Sequence, residues 1–258
     1  MKTLIYQYWH GDLLPYSALS RDMMADYARK VGAEFRFIPN PTFFKRRKRD
    51  LYVDSMRPIF DTDFHGYDRV LYVDGDVYPT DTCSRNVFDE PIGDLAMVEE
   101  AHQPALRENS TSRINGRNDQ RWARWMKRIY GIDVRRDEAG RPRVYNAGVI
   151  LYSGEGMRKA FKAFPNYRRY GQIMRLIRLP RFYTFDQNYL NAATAMDGLE
   201  FTALDPVWNS QVHMIGNGAE ATLRDERDAA TQFAHIQLRG RSSMTRGDMQ
   251  AIIDQKKA

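Results

Sequence analysis

The sequence predicts an α/β fold in which helices flank a mixed, mainly parallel sheet. Over residues 1–73, apolar runs typical of strands alternate with segments of helical spacing, and this β-α-β-α-β order favours parallel pairing. The chain has 258 residues, is 43% hydrophobic, and contains no repeat, low-complexity tract or clear linker. We therefore predict a single domain over residues 1–258, long enough to bury a sizeable core.

The elements of the first half follow from periodicity and from the residues that end each run. Three strands are predicted at TLIYQYW, AEFRFI and YDRVLYV. A helix over SALSRDMMADYARKVG should stop at Gly32, and a second over RDLYVDSMRPIFD should end or kink near Arg57 because Pro58 follows. This half therefore predicts two helices between three strands.

The second half continues the pattern with longer helical stretches. Further strands are predicted at GDLAMVEE, RVYNAGVILYS and QFAHIQL, and an amphipathic helix around Trp122. A long basic helical region should be interrupted at Pro165 and at Gly171. The next helix, TFDQNYLNAATAM, has Thr184 as its expected N-cap, and RGDMQAIIDQKK should close the chain as a helix.

The positive charge is concentrated in two places. The formal net charge is +6, and KRRKR at residues 45–49 is one basic cluster. Residues 158–181 carry eight Lys or Arg residues and no acid. This segment is interpreted either as a solvated helix face or as a surface for a polyanionic acceptor or an acidic membrane.

Cysteine usage and hydropathy predict a soluble, cytoplasmic protein. Cys83 is the single cysteine, so no internal disulfide can form and a reducing compartment fits. The apolar run after Lys2 is too short for a signal sequence, and no apolar stretch approaches the length of a membrane span. We expect no integral contact with a membrane.

The stretch VLYVDGDVYP at residues 70–79 ends an apolar strand in two acids. Alternation along an extended chain places Asp74 and Asp76 on one face, where their charges repel. Ligands of open α/β sheets bind beyond the carboxyl ends of strands, which is where these acids lie. A bound cation is the simplest explanation for the pair.

Five motifs in a fixed order give the sequence a resemblance to a known family. They are YDRVLYVDGDVYP, YNAGVILYS, FDQNYLN, LDPVWN and AHIQLRGR. Together they resemble the GT-A-fold nucleotide-sugar glycosyltransferases of glycosyltransferase family 8, the group of glycogenin and the lipopolysaccharide galactosyltransferases. The resemblance implies a nucleotide-binding half at residues 1–80 and a half for the donor sugar and acceptor at residues 81–258.

The resemblance also implies a metal site and a diphosphate site. Asp74 and Asp76 match the acids that hold a divalent cation, commonly Mn²⁺ with Mg²⁺ as the alternative, on the donor diphosphate. His235 matches the third ligand, and such a mixed oxygen and nitrogen set suits Mn²⁺. Arg57 and Arg241 match residues that contact the diphosphate, although Arg241 replaces a lysine and Leu238 replaces a glycine in that motif.

Further site residues are implied for the rest of the donor and for the acceptor. Tyr6 or Tyr8 would stack on the base while backbone groups around Gln7 read its edge, and Gly75 would leave room for close approach of the donor. The sugar would be met by Asn146, Ala147, Gly148, Asp186 and Gln187, with the last two near its anomeric carbon. The predicted acceptor contacts are Arg168, Arg169, Arg175, Trp208 and Asn209.

The predicted function is therefore metal-dependent transfer of a hexosyl or pentosyl group, with retention of configuration, from a nucleoside-diphosphate sugar to an acceptor hydroxyl. The expected donor base is uridine. The basic segment favours a negatively charged acceptor: an envelope glycan such as lipopolysaccharide, a lipid-linked saccharide, or a hydroxylated base of DNA. Front-side attack and a glycosyl-enzyme intermediate both stay open.

Two other classes of protein remain as alternatives. DGDVYPT also resembles the nucleophile motif of haloacid-dehalogenase-like phosphatases, but that motif normally opens the chain, whereas two strands and two helices precede it here. A non-catalytic nucleic-acid-binding module would explain only the basic runs. Slow Mn²⁺-dependent hydrolysis of a nucleotide sugar would separate a transferase from both.

Overall fold

The computed structural model describes residues 1–44, 52–215, 222–238 and 240–254, so the basic cluster at residues 45–49 lies outside the described residues. The strands are β1 Thr3–Trp9, β2 Glu34–Pro39, β3 Arg69–Val73, β4 Val77–Pro79, β5 Leu95–Glu99, β6 Tyr145–Ser153, β7 Phe201–Leu204, β8 Ser210–Ile215, β9 Thr222–Asp225 and β10 Phe233–Gln237. The helices are α1 Pro15–Val31, α2 Arg57–Phe60, α3 Gln103–Glu108, α4 Gly116–Tyr130, α5 Gly154–Ala163, α6 Tyr167–Leu176, α7 Asp186–Ala193 and α8 Arg246–Asp254.

The larger sheet confirms the predicted α/β class. Its six strands run in the order β2-β1-β3-β6-β5-β7. The pairs β1/β2, β1/β3 and β5/β7 are parallel, while β6 runs antiparallel to both of its neighbours. The sheet is therefore mixed and mainly parallel. The first strands and helix form as predicted because apolar alternation and the left-handed Gly32 (φ 70°) at the end of α1 are local signals.

A second, smaller sheet was not predicted. Its four strands run in the order β4-β10-β8-β9, with β10 parallel to β8 and the other pairs antiparallel. One face packs on α1 and α8 through a cluster that contains Tyr78, Val212, Ile236 and Met249. The strand β4 has only three residues, so its local pattern is too short to reveal a separate sheet.

Two helix boundaries differ from the predictions, and a third agrees. Gly171 does not interrupt α6 but lies buried within it, where a glycine can be tolerated if packing supports the helix. Thr184 is not the N-cap of α7: it closes a 3₁₀ turn, and Phe185 occupies the N-cap without a side-chain hydrogen bond. Near Arg57 the chain changes from a 3₁₀ turn over Val53–Met56 to α2, which agrees with the predicted break.

None of the helices in the described ranges combines the length and hydropathy that crossing a membrane requires.

Candidate metal centre

The DGD turn carries two acids from one sheet to the other. Asp74 follows β3 of the larger sheet, and its backbone N–H donates to the Gly148 carbonyl of β6 at 2.8 Å. Asp76 precedes β4 of the smaller sheet, and its carbonyl accepts from the Ile236 N–H of β10 at 2.9 Å. The turn is held at both ends by backbone hydrogen bonds, so both carboxylates are attached to well-fixed elements.

The turn and β10 bring three metal-ligating side chains together. Asp74, Asp76 and His235 each offer one ligand atom, and these atoms lie within 4.8 Å of one another. His235 Nε2 lies 3.2 Å from Asp76 Oδ1, and an Arg241 guanidinium nitrogen lies 2.9 Å from Asp76 Oδ2. Two carboxylate oxygens and one imidazole nitrogen form a donor set that fits Mn²⁺ or Mg²⁺.

Burial and proximity couple the charges of this cluster. Burial and the Asp76 carboxylate raise the pKa of Asp74 to about 6. Burial also opposes ionisation of Asp76, but His235 and Arg241 outweigh it and hold the pKa of Asp76 below its ordinary value. Burial would lower the pKa of His235, yet the Asp76 carboxylate outweighs it and raises that pKa. The cluster thus contains an ion pair and, at Asp74, a half-buried acid that a further positive charge would stabilise.

A chain of hydrogen bonds behind His235 fixes the orientation of its ring. His235 Nδ1 lies 2.9 Å from Asn209 Oδ1, and Asn209 Nδ2 donates to Asn146 Oδ1 at 2.9 Å. Asn146 Nδ2 in turn donates to Glu100 Oε1 at 2.6 Å. Because the Asn209 oxygen faces the ring, Nδ1 carries the hydrogen and Nε2 faces Asp76. Outer partners of this kind orient a metal-ligating histidine.

Two glycines of the predicted donor site instead make room for protein side chains. A Cβ on Gly148 would lie 2.5 Å from His235 Cε1, so the imidazole requires a glycine at this position. A Cβ on Gly75 would lie 3.1 Å from both Ser17 Oγ and Trp9 Cε3. The close approach of the donor at these two positions stays a prediction. The close neighbours are the histidine ligand and the β1–α1 region.

The aromatic residues beneath Asp74 also differ from the prediction. Tyr6 is fully buried, so it cannot offer a ring face to a base, whereas Tyr8 is half-buried and its ring lies 5.7 Å from the Tyr72 ring in a stacked arrangement. The Tyr72 hydroxyl donates to Asp74 Oδ1. The side chain of Gln7 is buried and donates to Ser20 Oγ and to the Asp74 carbonyl. The Gln7 side chain thus supports the DGD turn.

A second buried acid, Asp186, lies at the start of α7. Ser55 Oγ donates to Asp186 Oδ2 at 2.7 Å, and the side chain is 8% exposed. Burial raises the pKa of Asp186 to about 7; the Ser55 hydrogen bond opposes this rise, and the charge of Asp74 adds to it. Gln187 is half-buried beside it. Arg57 lies two residues after Ser55, and its Nε donates to Asp61 Oδ2 at 2.8 Å.

Several side chains that were predicted to contact substrate are buried or already hydrogen-bonded in the structure. Trp208 is fully buried against Phe233, so it cannot meet an acceptor. Asn209 is buried and orients His235. The Asn146 oxygen already accepts from two donors, which leaves at most one N–H for a sugar. Ala147 is buried in the core. The predicted acceptor arginines Arg168, Arg169 and Arg175 are exposed on α6.

Two solved structures share this fold over almost its full length. A glycosyltransferase involved in glycosylation of the major capsid of PBCV-1 matches with a TM-score of 0.53 and 11% identity, covering 99% of this chain and 100% of that chain. The galactosyltransferase LgtC, in complex with donor and acceptor sugar analogues, matches with a TM-score of 0.52 and 12% identity, covering 99% and 96%. This chain has the GT-A fold. No protein-family model and no curated protein matches the sequence.

The GT-A site also contains residues that sequence reasoning missed. Tyr72 and Gln237 each lie two positions from a predicted ligand on the same strand, and Gln237 Nε2 is 3.0 Å from His235 Nε2. The two-residue repeat of a strand could have identified both. Ser55 and Glu100 carry no such signal, because each meets its partner only through the tertiary fold of the GT-A domain.

Proposed function

We propose that this protein is a metal-dependent, retaining glycosyltransferase that moves a sugar from a nucleoside-diphosphate sugar, with uridine as the expected base, to an acceptor hydroxyl. The observation that supports this most is the convergence of Asp74, Asp76 and His235 beyond the carboxyl end of β3 in a GT-A fold. Ligands of open α/β sheets bind at that end of the strands. Both solved structures with this fold are described as sugar transferases.

Asp74, Asp76 and His235 would hold Mn²⁺ or Mg²⁺. When bound, the cation would stabilise negative charge on the leaving diphosphate as a Lewis acid. The Asp74 carboxylate and His235 Nε2 would bind the cation in their deprotonated forms, since metal ligands must be deprotonated. Arg241 uses part of its guanidinium on Asp76. Its remaining N–H groups can bind the diphosphate, because a guanidinium presents paired N–H donors to phosphate oxygens.

Asp186 and Gln187 would face the transferred sugar. Burial places the pKa of Asp186 at about 7, so the carboxyl can donate a hydrogen bond to a sugar hydroxyl when protonated. When ionised, it would stabilise positive charge at the anomeric carbon as the glycosidic bond breaks. Arg57 would assist at the diphosphate only if it leaves Asp61. Tyr8 is the aromatic ring proposed to stack on the base.

The proposed acceptor is a hydroxyl of a negatively charged or lipid-linked glycan. The support is the charge of α6, where Arg168, Arg169 and Arg175 are exposed and no acid interrupts them. A hydroxylated base of DNA would meet the same charge, and steep dependence of its turnover on salt concentration would identify it.

A thermal-shift panel of nucleotide sugars with and without Mn²⁺ tests the donor and the metal together. A ligand that binds only the folded protein raises its melting temperature. We expect a rise with nucleotide sugars of one base, and only when Mn²⁺ is present. Slow hydrolysis of the same donor should follow. Preference for phosphomonoesters would indicate a phosphatase. The absence of both binding and hydrolysis would contradict the proposal.

Asp76→Asn tests the metal assignment directly. We expect it to abolish Mn²⁺-dependent hydrolysis of the donor, because Asp76 is both a ligand and the ion-pair partner of His235. Asp63→Asn is the matched control, since Asp63 is exposed in a 3₁₀ turn away from the cluster. If Asp76→Asn turns over the donor as fast as Asp63→Asn does, the metal site is wrongly assigned.

A further inference from the structure

The helices α4 and α6 pack side by side and bury one face each. Trp122 Nε1 of α4 donates to the Tyr170 hydroxyl of α6 at 3.0 Å. Arg121 of α4 donates to the carbonyl of Ile177, the residue that ends α6. The buried residues of both helices belong to the same core cluster. The remaining faces of the two helices therefore lie next to each other at the surface.

These outward faces carry arginine and no carboxylate. Arginines recur along α4 at spacings of four, three and four residues, which puts them on one stripe opposite the buried Trp122. The only acid of α4, Asp119, is buried and paired with Arg107, and α6 contains none. We call this surface the arginine face. It consists of Arg117, Arg121, Arg124, Arg128, Arg168, Arg169, Arg175 and Arg178.

The charge of the arginine face is largely uncompensated. Among the described residues, no carboxylate forms an ion pair with Arg124, Arg128, Arg169 or Arg175, and all four side chains are exposed. An ordinary solvated helix face mixes both signs of charge, as surface positions usually do. Here the outward faces of α4 and α6 carry positive charge only. A partner with closely spaced negative charges is the complement of such a surface.

Apolar side chains lie among these charges. Leu176 is 81% exposed at the end of α6, between Arg175 and Arg178. Trp125 borders the arginine stripe of α4, and the Arg128 guanidinium lies over its ring at 5.2 Å. An exposed leucine gains nothing from water or from the phosphates of nucleic acid. Apolar and aromatic residues beside arginines are typical of surfaces that enter the headgroup region of a bilayer.

We propose that the arginine face docks the protein on the surface of an anionic lipid bilayer. The arginines would bind lipid phosphates, while Leu176 and Trp125 would enter the boundary between headgroups and acyl chains. This goes beyond sugar transfer and does not rest on it, because docking needs neither donor nor metal. If transfer also occurs, the docked face would deliver the enzyme to acceptors held at that surface.

Co-sedimentation with vesicles tests the proposal. Vesicles of one part phosphatidylglycerol to two parts phosphatidylcholine should bind the protein, and pure phosphatidylcholine should not. Binding should weaken as salt rises, because charges more than about 10 Å apart are screened at roughly 0.1 M salt. The triple variant Arg124→Gln, Arg169→Gln, Arg175→Gln should lose about fivefold in affinity for each arginine that lies against the headgroups.

The control is Lys2→Gln, Arg29→Gln, Arg246→Gln, which removes the same charge at exposed positions outside the arginine face. It should bind the anionic vesicles almost as well as the unmodified protein. Leu176→Ser should weaken vesicle binding without changing the melting temperature, since Leu176 is exposed. Equal loss in both triple variants, no binding at low salt, or preference for a DNA duplex over the vesicles would overturn the proposal.

Discussion

Asp76 and Asp186 are buried to nearly the same extent, 7% and 8% exposed, yet their acidities differ in opposite directions. Burial raises the pKa of both, but His235 and Arg241 reverse the effect at Asp76. At Asp186, hydrogen bonds from the Ser55 hydroxyl and from the backbone N–H groups of Gln187 and Asp186 favour ionisation but do not outweigh burial, and its pKa stays at about 7. The neighbouring charges, and not the extent of burial, therefore decide which acid is ionised at neutral pH.

Asp186→Asn should produce the largest change in stability, and the change should grow as pH rises from about 4 to about 7. The folded protein keeps a proton on Asp186 that the unfolded chain loses near its ordinary pKa. The free energy of unfolding therefore falls as pH rises from about 4 to about 7 and stays low above it. Asn removes this term, so the variant should be more stable by up to about 4 kcal/mol above pH about 8. Chemical denaturation at several pH values measures it.

Little difference between Asp186→Asn and the unmodified protein is expected near pH about 4, where both side chains are neutral. The variant should nevertheless lose sugar transfer, because the proposed role needs a carboxyl group. If the gain in stability of the variant over the unmodified protein does not grow with pH, Asp186 is ionised in the folded protein and the contrast with Asp76 fails.

Asp74→Asn should give the next largest effect, on cation affinity. It removes the acid whose charge the cation would neutralise, so Mn²⁺ affinity should fall by at least about 100-fold, more than the loss typical of outer-shell changes. Calorimetric titration with Mn²⁺ at mildly alkaline pH measures this. Asp186→Asn is the control and should retain most of the affinity. Equal losses in the two variants would mean that both acids belong to one metal site.

Asn209→Ala tests whether the metal site around Asp76 depends on the residue that orients the His235 ring. The variant removes the acceptor of His235 Nδ1 and frees the ring to rotate. Mn²⁺ affinity should fall by about 10- to 100-fold, the range found for outer-shell partners of metal ligands. Asn188→Ala is a matched control, since Asn188 is also a buried amide but bonds to the Phe182 carbonyl. Unchanged Mn²⁺ affinity in Asn209→Ala would mean that other contacts orient His235.

The acids of the site were more predictable from the sequence than the residues that tune them. Asp74 and Asp76 are two residues apart at the end of an apolar strand, so local alternation predicts that they share a face. The partners that tune the acids lie far away in the chain: Asn209 is 26 residues from His235, and Ser55 is 131 residues from Asp186. Such pairs arise from how the sheets and helices pack, which local periodicity does not encode.

The same limit applies to the structural roles that the sequence did not predict. Motif order indicated that the stretch around Asn146 and Gly148 matters, but not that these residues also support His235. The missing information was the second sheet. Its strands bring His235 and Asn209 behind the DGD turn, and β4 is too short to be recognised from its pattern.

Ser55→Ala is expected to have the smallest effect, and it tests why the pKa of Asp186 is no higher than about 7. The Ser55 hydroxyl donates to Asp186 Oδ2 and favours the ionised form. Without it, the pKa of Asp186 should rise by about one further unit, equivalent to about 1.4 kcal/mol. The pH at which the free energy of unfolding stops falling should also rise by about one unit. Carboxyl carbon NMR of Asp186 would follow the titration directly.

Ser17→Ala is the matched control for Ser55→Ala, because it deletes an equally buried hydroxyl in α1 that does not contact Asp186. Its Asp186 titration should match that of the unmodified protein. If Ser55→Ala lowers the pKa of Asp186, or leaves it unchanged, the hydroxyl does not favour the ionised form. Its single hydrogen would then be directed at its other acceptor, the Tyr52 carbonyl at 3.0 Å, and the pKa of Asp186 would be set without the Ser55 hydroxyl.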